Sequence, residues 1–520
     1  MAPVNSLHRG IAAGRTLRVV IPALLAGLVV LAASTREGGQ VASAAGKAAA
    51  KQTRPNVIVI ETDDQSVETL RVMKNVRQLI GAQGATFENS FASYALCCPS
   101  RATFLTGQYA HNHGVRGNTP PAGGYEKLDH SSTLAVWLKR AGYHTAHIGK
   151  YLNGYGKKGA EREIPAGWSE WHGGINLSFV NHSLNQNGRI VSFSGEGNYQ
   201  TDVYARIAQD LIRRRAPKAQ PFFVWLNPHA PHGGGPAEPD DPRGIGTTRP
   251  AARHRDVYAR EPLPQPPSFD EQDVSDKPAA IRNRPPLSAQ EVAGIREAYQ
   301  QQLESLLSID EAVGKIVAEL RRAGELGNTL VIFTTDNGFF HGEHRVPAGK
   351  VLVYEPSIRV PLLMRGPGVR PGVRPGALVA NIDLAPTIMD AANAKAGRKM
   401  DGRSLLAILR KPSLVAKRDL LIENGPSKAE RGDVGTPKPP RKGRGKGKKG
   451  NAGGDRSFTA IRTARYVYVE YAGGERELYD LASDPHELTS RHADPALENV
   501  RTDLARRLAR LRACAGAGCQ

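Results

Sequence analysis

Three runs of β-branched and aromatic residues limit what this chain can fold into more than any other feature. Pro55-Asn56-Val57-Ile58-Val59-Ile60, Pro221-Phe222-Phe223-Val224-Trp225-Leu226 and Thr329-Leu330-Val331-Ile332-Phe333-Thr334-Thr335 are apolar without alternation. Neither face of such a strand can meet water, so each belongs inside a parallel sheet covered on both sides. Each run also ends abruptly in polar residues: Glu61-Thr62-Asp63-Asp64, Asn227-Pro228-His229-Ala230-Pro231-His232, and Asp336-Asn337-Gly338. Open α/β sheets bind ligands beyond the carboxyl ends of their strands, which makes these ends a candidate site. A turn or a helix cap explains Asp63 or Asp64 alone but explains the adjacent pair less well.

Helical patterns lie between the strands. Leu134 to Arg140 ends at the capping position Gly142, and Tyr299, Leu303, Leu306, Leu307, Val313, Val317 and Leu320 keep a helical stripe before Gly324. Strand and helix in alternation predict an α/β fold, a mainly parallel sheet with helices on both faces. Residues 233 to 286 are rich in Pro, Arg and Asp without period, an irregular excursion. From Asp401 onward the pattern changes. Phe458 to Tyr471 alternates as antiparallel strand, Glu477 to Leu481 follows, and an amphipathic helix is expected around Val500 to Leu511. The expected organisation is a signal peptide and linker over residues 1–45, a catalytic domain over 46–410, and a smaller α+β domain over 411–520.

Composition bears on compartment and partners. The 520 residues carry 70 Lys+Arg against 50 Asp+Glu, a net charge of +20 that favours an anionic partner. Much of the excess lies in a low-complexity insert, residues 426–455, with nine Lys/Arg against Glu430, Asp433 and Asp455. It reads either as a solvated insert or as an electrostatic contact for a polyanion. It holds no aromatic residues, which weakens specific nucleic-acid recognition by stacking. At the other end, Arg9, Arg15 and Arg18 precede the apolar run Val19 to Ala33. This run is short against the ~20 residues of a membrane span, so export with cleavage after Ala33 or near Ala42 to Ala45 is expected, an uncleaved anchor being the alternative. The location is then secreted or extracytoplasmic. Of the four cysteines, Cys514 and Cys519 fit a small terminal disulfide loop with a modest effect on stability.

The remaining two stand in Cys97-Cys98-Pro99-Ser100-Arg101-Ala102-Thr103-Phe104-Leu105-Thr106-Gly107. Adjacent cysteines rarely bond each other, and no Cys-x-x-Cys pair offers a zinc site. Pro99 suits the first turn of a helix, placing the thiols at an electropositive helix N-terminus that lowers thiol pKa and attracts anions. Two buried structural thiols are the plain alternative. Asp63, Asp64, Asp336 and Asn337 offer hard oxygen donors of the kind calcium or magnesium takes. Arg101, Lys150 and Lys350 are candidates to hold a tetrahedral anion, although a lone lysine is ordinarily a solvated surface charge.

The Cys97-Cys98-Pro99-Ser100-Arg101 core with Leu105-Thr106-Gly107 resembles the signature of the type I, formylglycine-dependent sulfatases. The resemblance implies an alkaline-phosphatase-like fold and a Cys97 oxidised to formylglycine by a formylglycine-generating enzyme. It implies one Ca2+ held by Asp63, Asp64, Asp336, Asn337 and the modified Cys97. It gives Arg101 the role of orienting the nucleophile, Lys150 and Lys350 contacts to sulfate or formylglycine, and His232 of Ala230-Pro231-His232 that of general acid, with His229 as rival. The implied mechanism is attack on sulfur by one hydroxyl of the hydrated aldehyde and expulsion of sulfate by the other.

One position departs from the commoner family pattern Lys-x-His: Leu152 follows Lys150 at two residues' distance. Gly149-Lys150-Tyr151-Leu152-Asn153, the double cysteine and Asn112-His113 are similar to the N-acetylglucosamine-6-sulfatases and the extracellular heparan endosulfatases. The expectation is therefore a sulfuric ester hydrolase acting on a sulfated carbohydrate or aryl sulfate, N-acetylglucosamine-6-sulfate groups above all. The alternatives are a phosphonate or phosphate monoester hydrolase of the same fold and a non-catalytic polyanion-binding surface protein.

Overall fold

The structure is a computed structural model that describes residues 54–520 apart from 158, 235–237, 239–240, 242–244, 414–417 and 426–456. The signal segment and the basic insert lie outside the described residues. The strands, in chain order, are β1 (Asn56–Thr62), β2 (Ala85–Phe87), β3 (Ser90–Phe91), β4 (His144–Gly149), β5 (Glu170–Asn176), β6 (His182–Gln186), β7 (Arg189–Phe193) and β8 (Phe222–Asn227). They continue with β9 (Thr329–Thr335), β10 (Leu362–Arg365), β11 (Val379–Ala380), β12 (Leu420–Asn424), β13 (Phe458–Arg462), β14 (Tyr466–Tyr471) and β15 (Arg476–Asp480).

The main sheet has nine strands in the order β2-β10-β9-β1-β8-β4-β5-β6-β7. Its centre, β9-β1-β8-β4-β5, is parallel, and antiparallel strands flank it on either side. The three apolar runs are thus neighbours, β1 lying between β8 and β9. Side chains of β1 alternate between two cores, as the pleat requires. Val57 and Val59 pack with Phe104, Leu134, Leu138 and Ile388 from helices on one face. Ile58 and Ile60 pack with Val203, Leu211, Ile309, Val313 and Ile316 from helices on the other. Those last residues belong to Gln200–Arg215 and to the long helix Ala289–Arg322, which starts at a capping box between Ser288 and Glu291.

The C-terminal region forms a four-stranded antiparallel sheet, β12-β13-β14-β15. The stretch Phe458 to Tyr471 is two strands joined by a turn at 463–465 rather than one. The helix Glu498–Arg512 covers this sheet through Leu504 and Leu508, and the same core takes in Phe91, Tyr109, Phe340 and Tyr354 from the preceding chain. Cys514 and Cys519 are joined, closing the terminal loop. No helix among the described residues is long and apolar enough to cross a membrane.

Gly149 ends β4 where two backbones come together. Its φ is +106°, and a Cβ there would lie 2.1 Å from the carbonyl oxygen of Asn227 in β8. That approach lets the Lys150 amide donate to the same oxygen at 2.9 Å, which fixes where the Lys150 side chain begins. Gly149→Ala is expected to cost roughly 1–3 kcal/mol in backbone strain and about as much again in overlap, lowering the thermal midpoint by several degrees. A midpoint equal to that of the unaltered protein in differential scanning fluorimetry would show that the approach is not tight.

Candidate active site

Parallel register brings the polar strand ends together. Thr62 pairs with Thr335, so Asp63 and Asp64 leave β1 beside Asp336 and Asn337 leaving β9. On the other side Gly149 pairs with Asn227, which sets Lys150 next to Asn227. The helix Cys97–Thr106 points its N-terminus at this row. Its Ser100 hydroxyl donates to the Asp336 carbonyl at 2.5 Å and accepts from Asn381 Nδ2 at 2.9 Å.

The groups form a buried ionic lattice. Lys150 pairs with Asp63 and Lys350 with Asp64. Arg101 donates through Nε to Asp336 Oδ2 at 2.9 Å, and through Nη1 to Asn227 Oδ1 at 2.9 Å and the Lys150 carbonyl at 3.1 Å. Asn337 Nδ2 donates to Asp64 Oδ1 at 2.7 Å. Cys97 Sγ lies 3.5 Å from Asp63 Oδ1 and 3.0 Å from Lys350 Nζ. His229 Nδ1 is 3.2 Å from Asp63 Oδ2, and His232 Nε2 is 3.5 Å from Asp64 Oδ2. The two imidazoles stack with centroids 4.6 Å apart. His232 retains 27% side-chain exposure while Asp63, Asp64, Arg101, Lys150 and Lys350 are buried, so His232 stands at the open side.

Neighbouring charge decides the ionisation here. Burial opposes the charge on Asp63, but Lys150, His232, His229 and Arg101 hold its carboxyl well below the usual range. Asp64 is likewise lowered against burial, chiefly by Lys350 and His232. Asp336 is raised by burial and by the Asp63 charge. His229, lowered to about 4 mainly by burial, stays neutral. The helix N-terminus does not make Cys97 a thiolate. Burial pushes its thiol well above the ordinary value although Lys150 and Lys350 pull the other way, and Cys98 rises to about 12 for the same first reason. The expectation of a depressed thiol pKa is corrected on this point, because desolvation outweighs both lysines.

The donor set fits a hard divalent cation. Ligand atoms of Asp63, Asp64, Cys97 and His232 all lie within 4.8 Å of one another. Asn337 Oδ1 is buried with no hydrogen-bond partner, a vacant hard oxygen donor beside them. Asp336 stands alongside, but Oδ1 accepts from the Asp64 amide at 3.2 Å and Oδ2 serves Arg101. Arg101 Nη2 and Asn227 Nδ2 are buried donors without acceptors, which suits an anion's oxygens.

The remaining positions divide between core and site. Leu152 packs in the apolar core with Tyr151 and takes no part in the site, whereas His229 touches Asp63. Two residues went without a role in the sequence. Asn227 anchors Arg101, and its position at a strand end was the available signal. Glu61 is buried, raised to about 7 by that burial, and accepts from Trp225 Nε1 at 2.8 Å. An acid inside a strand buried on both faces needs such a partner, which was its signal.

A family model described as Sulfatase matches residues 55–394. The human N-acetylglucosamine-6-sulfatase is 33% identical over 500 residues, covering 91% of this chain and 87% of that protein. An extracellular sulfatase SULF-1 homolog of Drosophila melanogaster is 32% identical over 412 residues, 76% of this chain and 36% of that protein. Among solved structures, a protein in complex with its substrate D-glucosamine-2-N,6-O-disulfate superposes with a TM-score of 0.70 at 22% identity, covering 88% of this chain and 97% of that one. That match shows the alkaline-phosphatase-like fold. A pattern that spans both the strand-end acids and the Cys97 helix, with a relative at this identity over nine-tenths of the chain, is a family relationship: the chain belongs to the sulfatases and is a sulfuric ester hydrolase.

Proposed function

We propose that the chain removes sulfate esters from sugars, N-acetylglucosamine-6-sulfate groups above all, using formylglycine made from Cys97 and one bound calcium ion. The observation that carries the reading is the meeting of Asp63, Asp64, Cys97 and His232 within 4.8 Å, with Lys350 Nζ 3.0 Å from Cys97 Sγ. A buried, protonated thiol is a poor nucleophile, so this position suits a modified side chain better than a catalytic cysteine. The sugar class is supported by the human relative and by the fold match to the protein solved with a sulfated glucosamine.

Formylglycine would supply an oxygen nucleophile able to release its own sulfate ester, and calcium among Asp63, Asp64, Asp336 and Asn337 would supply charge to hold the sulfate against it. The remaining work falls to side chains already in place. Lys150 and Lys350 stabilise the charge that develops on the sulfate oxygens, in a site dry enough to make that interaction strong. Arg101, clamped by Asp336 and Asn227, keeps the Cys97 helix in register with the strand ends. His232, on the open side, gives a proton to the departing sugar oxygen. We also place the mature protein outside the cytoplasm, on the N-terminal segment and the extracellular relative, with maturation by a formylglycine-generating enzyme and a polyanion contact through residues 426–455.

Mass spectrometry of the Cys97 peptide from protein made in its native host is expected to find an aldehyde, and the protein to turn over 6-O-sulfated N-acetylglucosamine faster than an aryl phosphonate. A thiol throughout sinks the nucleophile, and a preference for phosphonate replaces the substrate class. Lys350→Ala and His232→Ala are each expected to lower kcat by about 10²–10³ while the protein stays folded by circular dichroism; wild-type kcat in either variant removes that residue from the mechanism. Dialysis against a calcium chelator should abolish hydrolysis and calcium restore it, so full activity in excess chelator would reject the metal assignment.

A further inference from the structure

Beside the C-terminal sheet lies a cleft of about 310 Å³ that the sulfatase reading does not use. Arg418 and Asp419 line it from ahead of β12, Arg507 and Arg510 from the helix Glu498–Arg512, and Gln520 from just beyond the disulfide loop. Arg418 has a fully buried side chain, and its Nη1 donates to Asp383 Oδ2 at 2.5 Å. Asp383 is otherwise engaged, since Oδ2 also accepts from the Ala380 amide and Oδ1 from the Arg403 amide, each at 2.9 Å. Nε and Nη2 of Arg418 are buried beside the Tyr109 hydroxyl without a well-aligned hydrogen bond, and the same two atoms of Arg403 are buried without a partner. Arg403 and Arg418 meet at one carboxylate, since Asp383 accepts from the Arg403 amide through Oδ1 and from Arg418 Nη1 through Oδ2. Gln520 Nε2 donates to the Gly402 carbonyl at 2.8 Å, so the terminal loop reaches the residue before Arg403.

The charge balance points the same way. Arg507 is met by Asp419 and by Asp503 Oδ2, the latter at 3.0 Å, whereas Arg510 makes no ion pair among the described residues. Three arginines, Arg418, Arg507 and Arg510, thus line the cleft against one carboxylate of its wall, Asp419. Buried charged donors are rarely left unmet, because an unpartnered one bears its full desolvation penalty. Two guanidinium forks offer more N–H groups than the two oxygens of a carboxylate can receive, while a tetrahedral oxyanion presents four oxygens and is the shape such forks recognise. We propose that this cleft is a second anion site, separate from Cys97, that takes a sulfate-type oxyanion, either the free ion or the sulfo group of a glycan.

The turn Asn381–Asp383 that holds Arg418 also holds Ser100 of the Cys97 helix, so variants at Arg418 would disturb catalysis. Arg403 and Arg510 are the residues to change. Equilibrium dialysis of the full chain with radiolabelled inorganic sulfate is expected to show one bound sulfate fewer per chain in Arg403→Ala/Arg510→Ala than in the wild type, with aryl sulfate hydrolysis unchanged. Arg510→Glu alone, on an exposed helix face, is expected to weaken the same binding event and guards against misfolding of the double variant. Equal stoichiometry and affinity in wild type and variants overturns the proposal. Competition by glucosamine-6-sulfate in a Cys97→Ala background separates the sources. Displacement at about tenfold lower concentration than inorganic sulfate identifies a glycan-borne group, and equal or weaker displacement identifies the free ion; failure of both competitors to displace the label from this site overturns the assignment.

Discussion

Burying several carboxylates side by side is possible in this protein only because buried cations stand against them. Asp63 faces Lys150, Asp64 faces Lys350 and Asp336 faces Arg101, all of them away from water. Isolated, each charge would be neutralised by a shifted pKa or would unfold its surroundings; the paired lysines hold Asp63 and Asp64 below the usual carboxylate range, whereas Asp336 is raised by burial and by the Asp63 charge. Such a lattice is weak evidence for stability, since well-packed apolar groups could replace it at little cost. What it does is gather fixed negative oxygens and fixed positive donors around one side chain, Cys97.

The fold supplies the rigidity that the lattice needs. β1 lies at the centre of the sheet between β8 and β9, and its alternating side chains are locked into two separate cores. The acids therefore leave a central strand held on both faces. Gly149 lets β4 approach β8 closely enough to aim Lys150 at the same point. Ser100 and Asn381 fasten the Cys97 helix to the end of β9 and to a turn that leads on toward Arg418. Through that turn the C-terminal region is tied to the Cys97 helix as well as to the sheet.

Cys97 shows where local and tertiary reasoning part. A helix N-terminus alone lowers a thiol pKa, and Pro99 announces that N-terminus correctly, since the helix runs from Cys97 to Thr106. The dominant influence is nevertheless desolvation by chain segments far away in sequence, which keeps the sulfur protonated. Leu152 shows the opposite case: its apolar side chain is where an apolar side chain belongs, in the core, and His229 reaches Asp63 from the segment that follows β8.

The sequence by itself determined the strands, because an unbroken β-branched run has no other stable place than a sheet covered on both faces, and it determined the Cys97 signature and its hard oxygen donors. Phe458 to Tyr471 was legible as antiparallel strand but not as a hairpin, since the turn at 463–465 carries neither glycine nor proline. Only the tertiary structure decided that Asp336 spends its oxygens on Arg101 and the Asp64 amide while His232 joins the ligand cluster, that Glu61 needs Trp225, and that Arg403 and Arg418 are left with donors to spare. The physical reason is common to all of them. Ionisation and hydrogen-bond satisfaction depend on which groups from distant segments share a buried space, and no local pattern records that.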